Sequence, residues 1–406
     1  PYNTNWMKEI ETVAPAQRHH LSFAGATDKG SYYISGAYLN QDGIIGGDQS
    51  KYERIMFRTN AQQQVKKWLQ VGLNATYQNT KRNGFTEDDE FGGIIASALG
   101  LDPYTPVVYN AEVGDNLSEN NYNAFKDAID QGIAVTDSDG KYYGISNYVK
   151  GEISNPIAQL DVTQDQTTEN KLLGSAFIKL GGDVWKGFSF TSRVNVDYAN
   201  QLFHTWYPSF WYSNERQNNV PNTRDNTNNW FTWQWENFAN YDQSFGKHNL
   251  QAMIGMSAIE YQHKWINSLS GPMFKEQDNF AQHGNVEVDG KVAGNLRIDR
   301  TTSYFGRVGY DFDGRYIAQV IVRRDGTSLL GTDQRWGTFP SVSAGWILSH
   351  ESFWSVDFID FFKIRASWGQ NGSTKSLEPD QFRALITSAG IKYPKPGGGY
   401  YTGAEP

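Results

Sequence analysis

The chain has 406 residues, with 36 basic against 44 acidic side chains and a net charge of −8. That balance excludes the basic stripe of a nucleic-acid binder. The absence of cysteine excludes disulfides, thiolate metal sites and thiol nucleophiles.

No run of about 18 apolar residues is present, so no helix is expected to cross a membrane. Mean hydropathy is −0.61, yet aromatics make up 15% of the chain. A β-barrel hides its membrane signal in this way, because only every second residue must be apolar. The opening Pro1-Tyr2-Asn3 carries neither an initiator Met nor a leader, and Gly397-Gly398-Gly399 reads as loop. The expectation is an internal piece of a longer exported chain.

About twelve strands are predicted, at roughly 17–27, 31–42, 52–65, 68–83, 169–181, 186–204, 229–245, 248–266, 301–312, 315–327, 338–349 and 361–371. Their alternation is regular. Leu69, Val71, Leu73, Ala75 and Tyr77 interleave with Gln70, Gly72, Asn74, Thr76 and Gln78. Phe188, Phe190, Val194, Val196 and Tyr198 do the same against Ser189, Thr191, Arg193, Asn195 and Asp197. Neighbouring side chains in a strand point to opposite faces, so each strand has one apolar and one polar face. The runs reach about 14 residues, where a tilted spanning strand needs about 9–11.

Connections alternate too. Asp28-Lys29-Gly30, Lys66-Lys67, Gly181 to Gly187, Phe245-Gly246-Lys247 and Asp311-Phe312-Asp313-Gly314 are short. Those at 84–168, 205–228, 267–300 and from 372 onward are long, and 43–51 and 328–337 are modest. Short turns on one rim and long loops on the other are the polarity of an outer-membrane barrel. The predicted fold is therefore all-β, a transmembrane antiparallel β-barrel. The competing architecture is a soluble sandwich or propeller, with shorter strands and one face packed on a second layer.

The 84–168 loop carries structure of its own. Phe91, Ile94, Ile95, Ala98 and Leu99 fall at helical spacing, as do Tyr122, Phe125, Ala128 and Ile129 after a cap at Ser118. The loop holds about fifteen acidic residues against three basic ones. A solvated acidic surface is the plain reading; a partner-docking face or a divalent-cation site is the sharper one. Asp137-Ser-Asp-Gly140 lacks the downstream bidentate acid of a calcium loop and reads as an Asp-Gly turn. Glu87-Asp88-Asp89-Glu90 reads as negative charge at a helix start.

Side chains that could carry chemistry are few. His19 and His20 are neighbours on a strand and face opposite ways, so no metal site is expected there. No metalloprotease, nucleophile-elbow, phosphate-loop or dinucleotide motif appears, and the chain is not expected to be an enzyme. Aromatics crowd 203–235. Phe231, Trp233 and Trp235 share one strand face and read as an interfacial girdle. Trp206, Tyr207, Trp211 and Tyr212, with Arg216, fall in loop and are candidate contacts for sugar rings or peptide side chains. Arg54, Arg58, Arg193, Arg307, Arg323 and Arg365 lie on the polar phase of their strands and are expected to face the lumen, either as a hydrated, ion-paired wall or as a path for substrate.

The block Ser303 to Asp311, Gly314-Arg-Tyr316, Val322-Arg-Arg-Asp-Gly-Thr-Ser328, Arg335 to Trp346 and Lys363 to Gly372 closely resembles the barrel of SusC-like (SusC/RagA) TonB-dependent outer-membrane transporters. Asn3-Thr-Asn-Trp6, Tyr32 to Gly36, Pro103-Tyr-Thr-Pro-Val107, Asn155-Pro-Ile-Ala158 and Lys247-His-Asn-Leu250 are similar to the family as well. The one local departure is Leu329-Leu330 before Gly331.

The resemblance covers essentially all of 1–406. It implies a partial barrel, about 12 strands of an expected 22, with 84–168 as an extracellular loop and with the family's plug domain and TonB box outside the sequence. It also implies outer-membrane, TonB-driven import of a large nutrient, a glycan by default or an oligopeptide. A SusD-like surface lipoprotein would be the partner, and pairing of two such assemblies into a dimer is a further implication. No cofactor is implied. The rival functions are a soluble glycan-binding module and a passive outer-membrane pore.

Overall fold

The computed structural model describes residues 2–85, 92–109, 117–162, 164–271, 291–356, 358–379, 381–382, 387–394, 396 and 400–405. Phe91 and the acidic run 87–90 lie outside them.

A short helix, α1 (Trp6–Ile10), leads into β1 (Ala16–Thr27), β2 (Gly30–Gly43), β3 (Gly47–Lys66) and β4 (Leu69–Gly84). Helices α2 (Ile94–Gly100), α3 (Glu119–Asp130) and α4 (Pro156–Val162) follow. Then come β5 (Gln164–Gly181), β6 (Phe188–Tyr207), the two-residue strands β7 (Phe210–Trp211) and β8 (Gln217–Asn218), β9 (Asn222–Phe245) and β10 (His248–Ser270). The chain continues through β11 (Lys291–Phe312), β12 (Tyr316–Thr327), β13 (Trp336–Ile347), β14 (Lys363–Gly369), β15 (Thr387–Pro394) and β16 (Tyr400–Glu405).

Twelve of these strands form one antiparallel sheet in chain order, β6 lying beside β9 because β7 and β8 pair apart as a small hairpin. β1 and β14 are its edges. Open edges are not tolerated in hydrocarbon, so a sheet of this kind belongs in a closed wall.

Register decides which residues share a face. Leu73 lies opposite Ala61 and Ala176, Val194 opposite Ala176 and Trp235, and Tyr77 opposite Phe57 and Leu172. One apolar surface thus runs across the sheet. It is uncovered: Leu73 is 49% exposed, Ile178 50% and Val320 50%. No second sheet packs on it among the described residues. Apolar patches of this extent do not face water, and they suit lipid.

Several strands run further than their hydrophobic pattern. β9 starts at Asn222 rather than near 229, and β11 at Lys291 rather than near 301. Asn222-Thr-Arg-Asp-Asn-Thr-Asn-Asn229 has no apolar phase, yet it pairs residue by residue with β6 and β10. Alternation reports what each face touches, whereas pairing needs only backbone. Polar ends therefore extend the ladder invisibly. β3 likewise begins at Gly47, which reduces the expected 43–51 connection to residues 44–46.

At the opposite rim the turns are tight. Asp313 (φ 56°) and Gly314 (φ 62°) are both left-handed, as a primed Asp-Gly hairpin requires. Asp313 accepts from Lys247 at 2.8 Å and from Arg315, and Arg315 also donates to Glu351 at 3.0 Å. These two cations hold the Asp313 carboxyl below the usual carboxylate range.

Candidate functional site

On the rim opposite the tight turns, the long loop and the first residues fold into a cap with its own core. Trp6, Ile10, Ile94, Ala98, Leu101 and Leu160 form one buried cluster. The Pro103–Pro106 segment is strapped to the chain's start: Thr4 N–H donates to Pro103 O at 2.8 Å and Trp6 Nε1 to Asp102 O at 2.9 Å. Asp102 accepts from Tyr104 N, Thr105 N and Thr105 Oγ1 at 3.0, 3.1 and 2.9 Å, and from Ser146 Oγ. Asn155 caps α4, accepting from Ile157 N and Ala158 N, while its amide donates to Val107 O at 2.9 Å and Gly144 O at 3.2 Å. Gly144 has no alternative, because a Cβ there would meet Pro106 O at 1.9 Å.

The helical stripes are present but rotated. In α2 the buried positions are Ile94, Ser97 and Ala98, and Leu99 points out. Ser97 is tolerated inside because its hydroxyl donates to Gly92 O at 3.1 Å and accepts from Gln159 Nε2 at 2.8 Å. In α3, capped by Ser118, Phe125 and Ala128 are buried whereas Tyr122 is exposed.

The candidate aromatic contacts are not a free cluster. Trp211 is buried beside Phe125, ring centroids 5.7 Å apart. Tyr212 is buried, stacks on Phe210 at 4.4 Å and donates to Ala158 O at 3.3 Å. Trp206 is buried at the end of β6, on the same strand phase as Tyr198. Arg216 lies over the Tyr212 ring at 5.6 Å and donates to Gly92 O, to Glu152 O at 2.9 Å and to Ser154 Oγ at 3.3 Å.

Trp206, Trp211 and Tyr212 are thus buried, and Arg216 is committed to acceptors in the cap. Trp211 and Tyr212 gain more by leaving water for the cap's interior, and the guanidinium bolts the β7–β8 hairpin to the cap. Tyr207 is half-buried and the least buried of the four rings. It lines a cavity of about 530 Å³ with Phe210, Arg224, Leu269 and Lys291.

The cap's phenols respond to this burial. Desolvation pushes Tyr109 and Tyr212 up. Tyr143 is pushed up by burial first and then by its hydrogen bond to Asp161. Asp137 Oδ1 accepts from Asp139 N at 3.0 Å and Lys141 N at 2.8 Å, so that carboxylate closes a turn. Among the described residues no group of three or more potential metal ligands occurs.

The sheet's second face is polar. Register puts Arg54, Arg58, Arg193, Arg307, Arg323 and Arg365 all on it. Arg193 lies opposite Glu236 and over the Phe177 and Phe238 rings at 5.8 and 5.9 Å. Arg323 covers Phe305 at 5.7 Å, with Nε 2.7 Å from Asp325 and Nη2 2.8 Å from Ser303 Oγ. His19 and His20 fall on opposite faces, His19 stacking on Tyr38. Trp230, one of the aromatics crowding 203–235 that sequence reasoning left unassigned, is out of phase with Phe231, Trp233 and Trp235 and so joins the polar face. Its even position in the alternation was the available signal.

No family model matches the chain. Curated relatives do. TonB-dependent receptor P39 of Formosa agariphila is 25% identical over 372 residues, covering 90% of this chain and 31% of its own length. TonB-dependent receptor SusC of Bacteroides thetaiotaomicron is 25% identical, covering 100% of this chain and 38% of its own length. The chain thus spans about a third of the length of the curated relatives it matches. Among solved structures, that of the RagAB peptide transporter matches with a TM-score of 0.75 at 19% identity, over 99% of this chain and 41% of that one. The same importer in its open-open state matches at 0.76. The relatives are receptors and transporters rather than enzymes.

Proposed function

We propose that the chain belongs with the outer-membrane barrels of the SusC-like TonB-dependent receptors, and that the whole protein actively imports a large nutrient across the outer membrane. The carrying observation is the sheet itself: twelve paired strands with one uncovered apolar face and one arginine-lined polar face. The apolar face meets lipid and the polar face meets the lumen. The cap, built on residues 92–109 and 117–162, lies on the extracellular side, where it offers a docking surface to a SusD-like lipoprotein. The cargo is a glycan by default. Energy comes through TonB, and two transporter–lipoprotein pairs assemble as a dimer.

The experiment is genetic. Deleting the gene in the native host should abolish growth on the cargo polymer while leaving growth on its monomer intact. Inactivating TonB should do the same. Uptake that persists without TonB would mean a passive pore. Recovery of the protein in the aqueous phase without detergent would overturn the membrane reading altogether.

A further inference from the structure

On the polar face, above the Arg193 level, β9 and β10, flanked by β6 and β11, carry aromatics where a hydrated wall needs none. Trp230 lies opposite Ala199 and His263, Tyr261 opposite Thr232 and Asp299, and Trp265 opposite Asn228 and Asn295. All are partly exposed. Trp230 and His263 are stacked, centroids 5.1 Å apart and planes 11° apart, and His263 Nε2 lies 3.1 Å from Asn228 Oδ1. Amides surround them: Asn226 and Asn267 pair on the row above, and Asn228 and Asn295 flank Trp265. Two of the nearby cations are matched within the protein. Arg297 donates to Asp299 and Glu378, both at 2.8 Å, and Lys171 lies 3.7 Å from Asp197.

We propose that this aromatic and amide shelf on β6, β9, β10 and β11 contacts the cargo, and that its ligand is a neutral oligosaccharide. The proposal rests on the import reading above and specifies its substrate class. Flat π faces receive the C–H face of a pyranose, and primary amides both donate to and accept from ring hydroxyls. An extended peptide is commonly held by adding to a strand edge, and all four strands are interior, hydrogen-bonded on both sides.

The test uses the full-length protein purified from the outer membrane in detergent. It is titrated calorimetrically with maltohexaose, cellohexaose, laminarihexaose and xylohexaose, and with a pool of neutral and charged hexapeptides. One of the hexasaccharides should bind. Trp230→Ala and Trp265→Ala should each weaken it roughly tenfold, the scale of a central tryptophan contact. Trp230→Phe should recover most of the loss, and heat-modifiable gel migration should show each variant barrel folded. Binding of peptides alone, of neither probe class, or of sugar with undiminished affinity in both folded alanine variants would each overturn the shelf. A sugar bound through the shelf but taken up equally without TonB would instead overturn the importer and leave the shelf standing.

Discussion

Ile254 on β10 and Leu99 at the end of α2 are almost equally exposed, at 70% and 72%. They sit in regions built on opposite principles. The wall has no core of its own, since its apolar side chains point outward in rows and its stability comes from paired backbone inside lipid. The cap is folded as a soluble protein folds, with Phe125, Trp211 and Tyr109 buried together and polar groups such as Asn155 and Gln159 satisfied inside. The same exposure therefore means lipid contact in one region and solvent contact in the other. What surrounds a side chain decides its energetics, and fractional exposure alone does not.

The difference can be broken most forcefully in the cap. Phe125→Ala leaves a void between Tyr109, Ala128 and Trp211 and should cost about 3–5 kcal/mol. The loss should be local: hydrogen exchange and limited proteolysis speed up across 117–162 while the barrel keeps its heat-modifiable migration. Concerted melting of both would show one cooperative unit and end the distinction. In the wall, Ile254→Lys places a charge midway along the apolar stretch Ala252, Ile254, Met256, Ala258. It should cost about 2–4 kcal/mol in vesicles, read from the urea midpoint of the folded barrel, with proteolysis of the cap unchanged.

The wall was legible in the sequence because lipid and water impose a period of two, and Leu69 to Tyr77 displays it without interruption. The polar strand ends were not, because Asn222 to Asn229 meets the same solvent on both faces. The cap's helices were legible from their spacing, but their inward faces were blurred. Ser97 is hidden by virtue of two hydrogen bonds that only the fold reveals. The packing of Trp211 and Tyr212 was hidden for a related reason: aromatic loops are equally suited to gripping a ligand and to filling a core, and the residues they pack on, Phe125 and Ala158, are more than fifty residues away in the chain.

Alkali gives a gentler separation. Tyr109 and Tyr143 lie in the cap, Tyr212 packs into it, and all three have phenols pushed above the ordinary value by burial. A raised folded value means that the stabilisation is complete below about pH 10 and is lost as pH climbs toward the folded value. Each such phenol can withdraw up to about 1.4 kcal/mol per pH unit in that window. Proteolysis within 117–162 should therefore accelerate above about pH 10, and Tyr143→Phe should shift its onset to higher pH. An onset well below pH 10 would mean that these phenols do not govern the cap.

The smallest effect is the most discriminating. Leu99→Lys should change cap stability by no more than about 0.5 kcal/mol, as surface substitutions do, although it replaces a side chain as exposed as Ile254. The pairing of these two lysine substitutions holds chemistry and exposure constant and varies only the medium. Equal penalties would mean that Leu99 also rests against an apolar surface. In that event the lysine should release whatever protein co-purifies with the transporter, and the cap's outward face would be a covered interface. A neutral result at Leu99 beside a costly one at Ile254 is what a water-facing cap on a lipid-facing wall requires.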